Sequence, residues 1–354
     1  MGPQRRTCAG RGACGPARAG PPAAHVRLHP RPDERAFQEV PRGRARRRAR
    51  LGTRRPRSDP YEQGEHPVKI LVIGAGLVGA SAATTLRERG HHVTVTTTTP
   101  GRVEDLQSRF DDVVVLRGAD REAVHACVAE ADAVVVSAGP VAAHSMTPED
   151  RAKTYHEVLV ATAESVTSAP GTPHLVALSA LSVYGDASNH LDTVDEDSPV
   201  TDSDDPSPNR FLAMEDVYRT TAGERSTIFR CGDIFGADDP PIDAKVAMAH
   251  QYLGGSVPFG ADALLYRLHV EDAADAIVHA VETRITGTYN LTHPEHPPTN
   301  AELFDAISAA QDLPPLVYRA EIAAPAVPIS VDRLRDAGFV ATRSYVAHPL
   351  LAAH

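Results

Sequence analysis

An α/β fold with a doubly wound parallel sheet is predicted by three features of this 354-residue chain. From Val68 onward, apolar runs of strand length alternate with helical patterns, the order that lays helices on both faces of a parallel sheet. The first run, Lys69–Ile73, opens directly into a glycine-rich turn and a helix. A second strand then arrives after a single stop signal, at the spacing of a strand–helix–strand unit.

The helix after the first strand runs from about Leu77 to Arg89 and stops at Gly90, and the second strand is His92–Thr96. Strand Val113–Leu116 comes next, with Asp120 as the N-cap of a helix over Arg121–Ala129. Strand Ala133–Ser137 runs into Ala138-Gly139-Pro140. Thr147-Pro148-Glu149-Asp150 has the form of a helix start, and that helix extends to about Thr167. Strand Leu175–Ser179 follows.

Gly74-Ala75-Gly76-Leu77-Val78-Gly79 has the spacing G-x-G-x-x-G. Gly74 allows the tight turn, Gly76 lets a pyrophosphate approach the backbone, and Gly79 lets helix and strand pack closely. Leu77 and Val78 stand where unpaired amides at a helix N-terminus meet the phosphates. With strand before, helix after and second strand in place, the motif predicts a Rossmann-type dinucleotide site. Asp120 falls near the adenine, Ala138, Gly139 and Pro140 lie along the cofactor path, and Ser179 ends a strand beside it. An Asp or Glu usually ends the second strand in NAD sites. Here the stretch is Thr96-Thr97-Thr98-Thr99-Pro100-Gly101-Arg102, with no acid to repel a 2′-phosphate. The hydroxyls of Thr97 and Thr98, with Arg102, favour NADP(H) over NAD(H).

Charge is divided unevenly. Residues 1–67 carry 16 Arg and 6 acids; residues 68–354 carry 20 basic and 40 acidic side chains. The acidic part would repel a phosphate backbone, so no nucleic-acid partner is expected. No apolar run reaches the roughly 18–20 residues of a membrane span. Cys127 and Cys231 are far apart and read as structural, no metal cluster is visible, and a reducing cytoplasm fits. The Arg-, Pro-, Gly- and Ala-rich leader 1–67 lacks apolar periodicity and is expected to be disordered, with a natural start at Val68.

Later motifs resemble those of the extended short-chain dehydrogenase/reductase superfamily, the group of sugar-nucleotide epimerases, dehydratases and reductases. Leu178-Ser179-Ala180-Leu181-Ser182-Val183-Tyr184-Gly185-Asp186 is similar to its Ser-rich strand ending in V-Y-G. Phe229-Arg230-Cys231-Gly232-Asp233-Ile234-Phe235-Gly236 resembles R-x-G-x-x-[YF]-G, and Leu268-His269-Val270-Glu271-Asp272-Ala273-Ala274 resembles hHVxDhA. Gly287-Thr288-Tyr289-Asn290-Leu291 and Val331–Phe339 are similar to two further motifs, so the resemblance spans residues 68 to about 345. It implies one extended dinucleotide-binding domain over 68–345. A small substrate-side subdomain is expected from about 187–209, 237–266 and 296–345.

The resemblance also implies catalysis by a Ser or Thr, a Tyr and a Lys, the last two four apart on one helix face. Here the hydroxyl position is Ala180, and aligned on Glu215 the Tyr and Lys positions read Ser207 and Phe211. In this respect the chain resembles an atypical group that carries an Arg and a Glu in place of the dyad. The candidate catalytic residues left are Tyr184, as acid or base, and Ser182, for a substrate oxygen. His144, Arg210, Phe235 and Arg267 are candidate substrate residues. Sugar-nucleotide enzymes of the superfamily place an Arg four before the His of His-Val, a position that is Leu265 here. Asp192, Asp195, Glu196, Asp197, Asp202, Asp204 and Asp205 share one loop without a Lys or Arg, which reads as a solvated flap or, as a functional alternative, as a bias toward neutral or cationic substrates. The reading is an NAD(P)-dependent oxidoreductase or epimerase-like enzyme acting on a small molecule by hydride transfer, as a monomer or homodimer. A non-catalytic NADP(H)-binding regulator and a non-redox enzyme on the same fold are the alternatives.

Overall fold

A computed structural model describes residues 67–110, 112–140, 147–236, 239–343 and 350. The Arg-rich segment 1–66 lies outside the described residues. Among the described residues, the first six strands are β1 (Lys69–Ile73), β2 (His92–Thr97), β3 (Asp112–Val115), β4 (Ala133–Val136), β5 (His174–Ala180) and β6 (Ser226–Cys231). The remaining strands are β7 (Asp233–Phe235), β8 (Ser256–Phe259), β9 (Arg267–His269), β10 (Gly287–Leu291) and β11 (Val317–Ile322).

Seven of these form one parallel sheet in the order β3-β2-β1-β4-β5-β6-β10. The central strands are apolar on both faces because helices cover both: Ile70–Ile73 and all of Ala133–Val136 are buried. The edge strand β3 stays partly exposed. Strand order reverses between β1 and β4, so the connections from these two strands leave in opposite directions and open a crevice at their C-terminal ends. The register is level there, Ile73 facing Val136, which sets the glycine turn beside Ser137 and Ala138.

Helix Leu77–Glu88 packs on helix Val270–Thr283 through small side chains, among them Ala80, Ala82, Ala83 and Ala276. Asp272, 1% exposed, accepts from the backbone amides of Thr342 and Arg343 and from the Arg343 guanidinium. The Asp of the His-Val-Glu-Asp motif thus fastens the C-terminal segment to this helix.

Predicted boundaries differ by a residue or two, with one exception of consequence. The helix expected over 148–167 is Pro148–Tyr155 and Ala161–Thr167 joined by a π-turn, His156–Val160. The extra residue keeps Leu159 and Val160 in the core while Tyr155 turns toward the crevice.

A smaller layer stands beside the sheet. Parallel strands β8 and β11 carry helices Ile242–Tyr252 and Asn300–Ala310 around Val246, Val257, Leu303, Phe304, Ile307 and Leu316. The second of these helices starts with a capping box between Thr299 and Glu302. No helix among the described residues is long and apolar enough to cross a membrane.

Candidate active site

The glycine turn is held by backbone and hydroxyl contacts. Gly74 has φ +98, a conformation open to glycine, and its amide donates to Thr96 Oγ1 at 3.0 Å. A Cβ on Gly74 would stand 2.8 Å from the Ala138 nitrogen. Ser137 Oγ donates to the Gly74 carbonyl at 2.8 Å, and a Cβ on Gly79 would strike that same carbonyl and hydroxyl. Gly76 differs, because a Cβ there would meet nothing within 4 Å. The closed side of the turn therefore packs on β4, and the open side, at the N-terminus of helix Leu77–Glu88, faces free space. A pyrophosphate fits that cradle, with the first-turn amides at Leu77 and Val78 as donors.

A cleft of about 710 Å³ extends from this turn between the sheet and the smaller layer. Its walls include Gly76, Leu77 and Val78, then Ser137–Pro140, then Leu178–Ser182. The far wall is mostly apolar, with Phe211, Ile234, Phe259, Leu264, Ile322 and Pro325. Tyr155, Asp233, Tyr266 and Asn300 add polar groups. Cys231 also reaches it, but burial pushes its thiol up to about 12, so it stays a neutral packing residue.

Behind the cleft lies a buried polar chain. Glu215 has no exposed surface and accepts from Ser179 Oγ (2.7 Å), Arg230 Nε (3.0 Å) and Arg230 Nη2 (2.7 Å). Arg230 also donates to the Tyr184 hydroxyl at 3.0 Å and lies over the Tyr184 ring at 4.9 Å. The Tyr184 hydroxyl donates to Asn290 Oδ1 at 2.7 Å. Asn290 extends the chain in two directions, its backbone N–H donating to Glu196 Oε1 in the acidic loop and its side-chain Nδ2 to the Ser330 carbonyl in the C-terminal segment. The Arg of R-x-G-x-x-[YF]-G and the Asn of G-x-Y-N-h are thus both buried network members.

This corrects the reading of Tyr184 as an acid or base. It is fully buried, lines no part of the cleft, and has its hydroxyl engaged on both sides. Burial, opposed by Arg230, pushes its pKa up to about 12. Ser179 lines the cleft, but its hydroxyl is committed to Glu215. Ser182 lines the cleft half-buried. Phe211 stands in the wall at the expected Lys position, and Arg210 beside it has an Nε with no hydrogen-bond partner among the described residues.

On the nucleotide side, Thr97 is buried with Oγ1 accepting from the Thr99 amide, while Thr98 and Arg102 are exposed. Arg102 borders a groove of about 940 Å³ that begins at Gly76 and Leu77. Asp120 caps its helix through the Ala123 amide. Phe235 and Arg267 stack on each other at 4.1 Å outside the cleft, with Arg267 ion-paired to Asp233 (3.7 Å) and Asp239 (3.5 Å). His144 lies outside the described residues.

The acidic loop is not a free flap. Val194 pairs with Ile329, Glu196 and Asp197 meet Arg333, and Asp205 caps helix Pro206–Val217. Glu196 and Asp197 thus tie the loop to a segment more than a hundred residues away in sequence, and Asp205 serves its own helix. Two features of the site were not read from sequence. The Glu215–Arg230 pairing joins two motifs visible separately, and the position of Tyr155 depends on a π-turn without a sequence signature.

The turn, the strand order and the cleft at the switch point together define a nicotinamide-dinucleotide enzyme of the extended short-chain dehydrogenase/reductase type. The chain belongs to the NAD dependent epimerase/dehydratase family, whose profile it matches over residues 70–292. It is 31% identical over 250 residues to a 3-diazoavenalumate denitrifying reductase of a Streptomyces species, covering 65% of this chain and 78% of that one. Its fold is similar to that of UDP-glucose 4-epimerase from Thermus thermophilus, solved with NAD, at a TM-score of 0.61 and 22% identity, covering 79% of this chain and 96% of that one. It is likewise similar to dTDP-4-dehydrorhamnose reductase from Bacillus anthracis, solved with NADP, at 0.59 and 17%, over the same shares of the two chains.

Proposed function

We propose that this chain is an NADP(H)-dependent reductase that delivers hydride to a small, largely apolar, uncharged or cationic electrophile without a Tyr–Lys dyad. The observation that carries the reading is one cleft that joins the glycine turn to an apolar wall, with Phe211 where a Lys would stand. A bound nicotinamide supplies the hydride. The chain's own residues bind and orient. Gly76 and the amides at Leu77 and Val78 receive the pyrophosphate, and Ala138–Pro140 guide the cofactor along β4. Ser182 offers a hydroxyl to a substrate heteroatom, and the apolar wall excludes water from the reacting face.

Thr98 and Arg102 support NADP(H), because an exposed guanidinium in the turn that follows β2 suits a 2′-phosphate and the stretch Thr96–Arg102 holds no carboxylate. Net reduction is favoured over epimerisation by the Streptomyces relative, whose name is that of a reductase acting on a diazo compound. A sugar nucleotide is disfavoured by Leu265, which lines the cleft where an Arg would hold a diphosphate. Ser207 and Phe211 in place of the Tyr–Lys dyad favour one other reading, a non-catalytic NADP(H)-binding protein. A panel of small aryl carbonyl, imine and diazo compounds separates the two. NADPH oxidation with at least one of them is expected, whereas tight NADPH binding without turnover across the panel selects the second.

A further inference from the structure

We propose that Tyr155 is the proton donor of this cleft, supplied by a helix other than the one that carries the usual dyad. The inference rests on the hydride-transfer reading above. Two tyrosines line the cleft, Tyr155 and Tyr266. The Tyr266 hydroxyl is engaged, accepting from the Ile329 amide at 2.7 Å and reaching the Val327 carbonyl at 3.4 Å. Burial also pushes its pKa up to about 12. Tyr155 is half-buried, and its hydroxyl makes no hydrogen bond among the described residues.

Its ring stands edge-on to Phe211, with centroids 6.2 Å apart and planes at 87°. The phenol is therefore packed against the side chain that occupies the Lys position, and it lines the same cleft as Ser182. The π-turn His156–Val160 begins at the next residue. Such turns recur at functional sites because the extra residue rotates the side chains before it relative to those after it. Leu159, Val160 and Ala163 beyond the turn are buried, while Tyr155 packs only partly buried against that core and also borders the cleft.

The chemistry balances with the dinucleotide as the two-electron reductant. Hydride addition to the carbon of a C=O or C=N bond leaves the displaced electron pair on oxygen or nitrogen. Tyr155 Oη gives that atom its proton, and the phenolate regains one from water. Ser182 hydrogen-bonds the same heteroatom, and the reduced dinucleotide leaves oxidised.

The test is Tyr155→Phe in the full chain, with one readout independent of turnover. Nitration by tetranitromethane, mapped by peptide mass, reads access to Tyr155 with and without NADP+; Tyr252, 71% exposed, is the control. Expected are nitration of Tyr155 that NADP+ suppresses while Tyr252 reacts in both cases. NADPH affinity in Tyr155→Phe should stay within about twofold of wild type, with turnover on a carbonyl substrate lower by about 10²-fold or more. Wild-type turnover retained in the variant overturns the donor role alone, as does Tyr155 nitration unaffected by saturating NADP+. A wild type that binds NADPH and reduces nothing in the panel overturns the proposed function and the donor role with it.

Discussion

Glu215 sits without exposure at the centre of three hydrogen bonds, and Arg230, 2% exposed, has its guanidinium divided between that carboxylate and Tyr184. Removing the negative charge strands a buried cation, so Glu215→Gln is expected to cost about 3 kcal/mol or more in urea unfolding. A loss under about 1 kcal/mol would show that the pair is not held as described. Tyr184→Phe removes one hydroxyl from the same chain, with an expected cost of about 1–3 kcal/mol and turnover within about twofold of wild type. A hundredfold loss of turnover at unchanged stability would return Tyr184 to the active site. At this scale the sequence was informative where backbone geometry dictates the residue, as at Gly74 and Gly79, and misleading where burial decides the role. Tyr184 and Ser182 stand two apart in one motif, and only packing tells that the first faces the interior and the second the cleft.

Among the elements, the interrupted helix 148–167 has the clearest functional consequence. Deleting the exposed turn residue Glu157 should restore an α-helical register and rotate Tyr155 by about 100° away from the cleft. Turnover should fall about as far as in Tyr155→Phe with NADPH affinity retained; full activity in the deletion variant would show that the turn does not position the phenol. Strand β5 contributes a pH response through its first residue, His174, which contacts Thr227 Oγ1 at 3.2 Å. Burial, and then the Arg284 charge, push His174 down to about 4 from 6.5. The fold holds the ring neutral while the unfolded chain takes up a proton below about 6.5. Its contribution to stability is therefore present above 6.5 and is lost as pH falls through about 4. Urea midpoints at pH 7 and pH 5 should differ more in wild type than in His174→Gln, and equal differences would contradict the assignment. Strands and helices were legible because periodicity and glycine placement encode them. The π-turn was not, because Pro148–Tyr155 and Ala161–Thr167 each read as ordinary helix and the phase slip between them alters no composition.

The whole molecule combines a Rossmann sheet, a glycine turn packed on β4 and a mostly apolar cleft beneath a smaller layer. Its fold was readable from the alternation of strands and helices together with the glycine turn, since a parallel sheet buried on both faces leaves few other arrangements. The acidic loop was not, because charge counts carry no information on partners such as Arg333 that are distant in sequence. Cofactor preference belongs to this scale as well. NADP+ should bind more tightly than NAD+, and Arg102→Ala should weaken NADP+ binding by about tenfold, the scale of one charge-assisted contact. Equal or tighter NAD+ binding by calorimetry would contradict it. The central claim is hydride transfer from NADPH to a small electrophile in this cleft. It is tested most directly with NADPH deuterated at nicotinamide C4 on each face in turn, reading the reduced product by mass spectrometry. One deuterium carried into the product from one face, with stoichiometric NADP+, is the predicted result; product formed without cofactor deuterium, or NADPH bound and never oxidised, would contradict it.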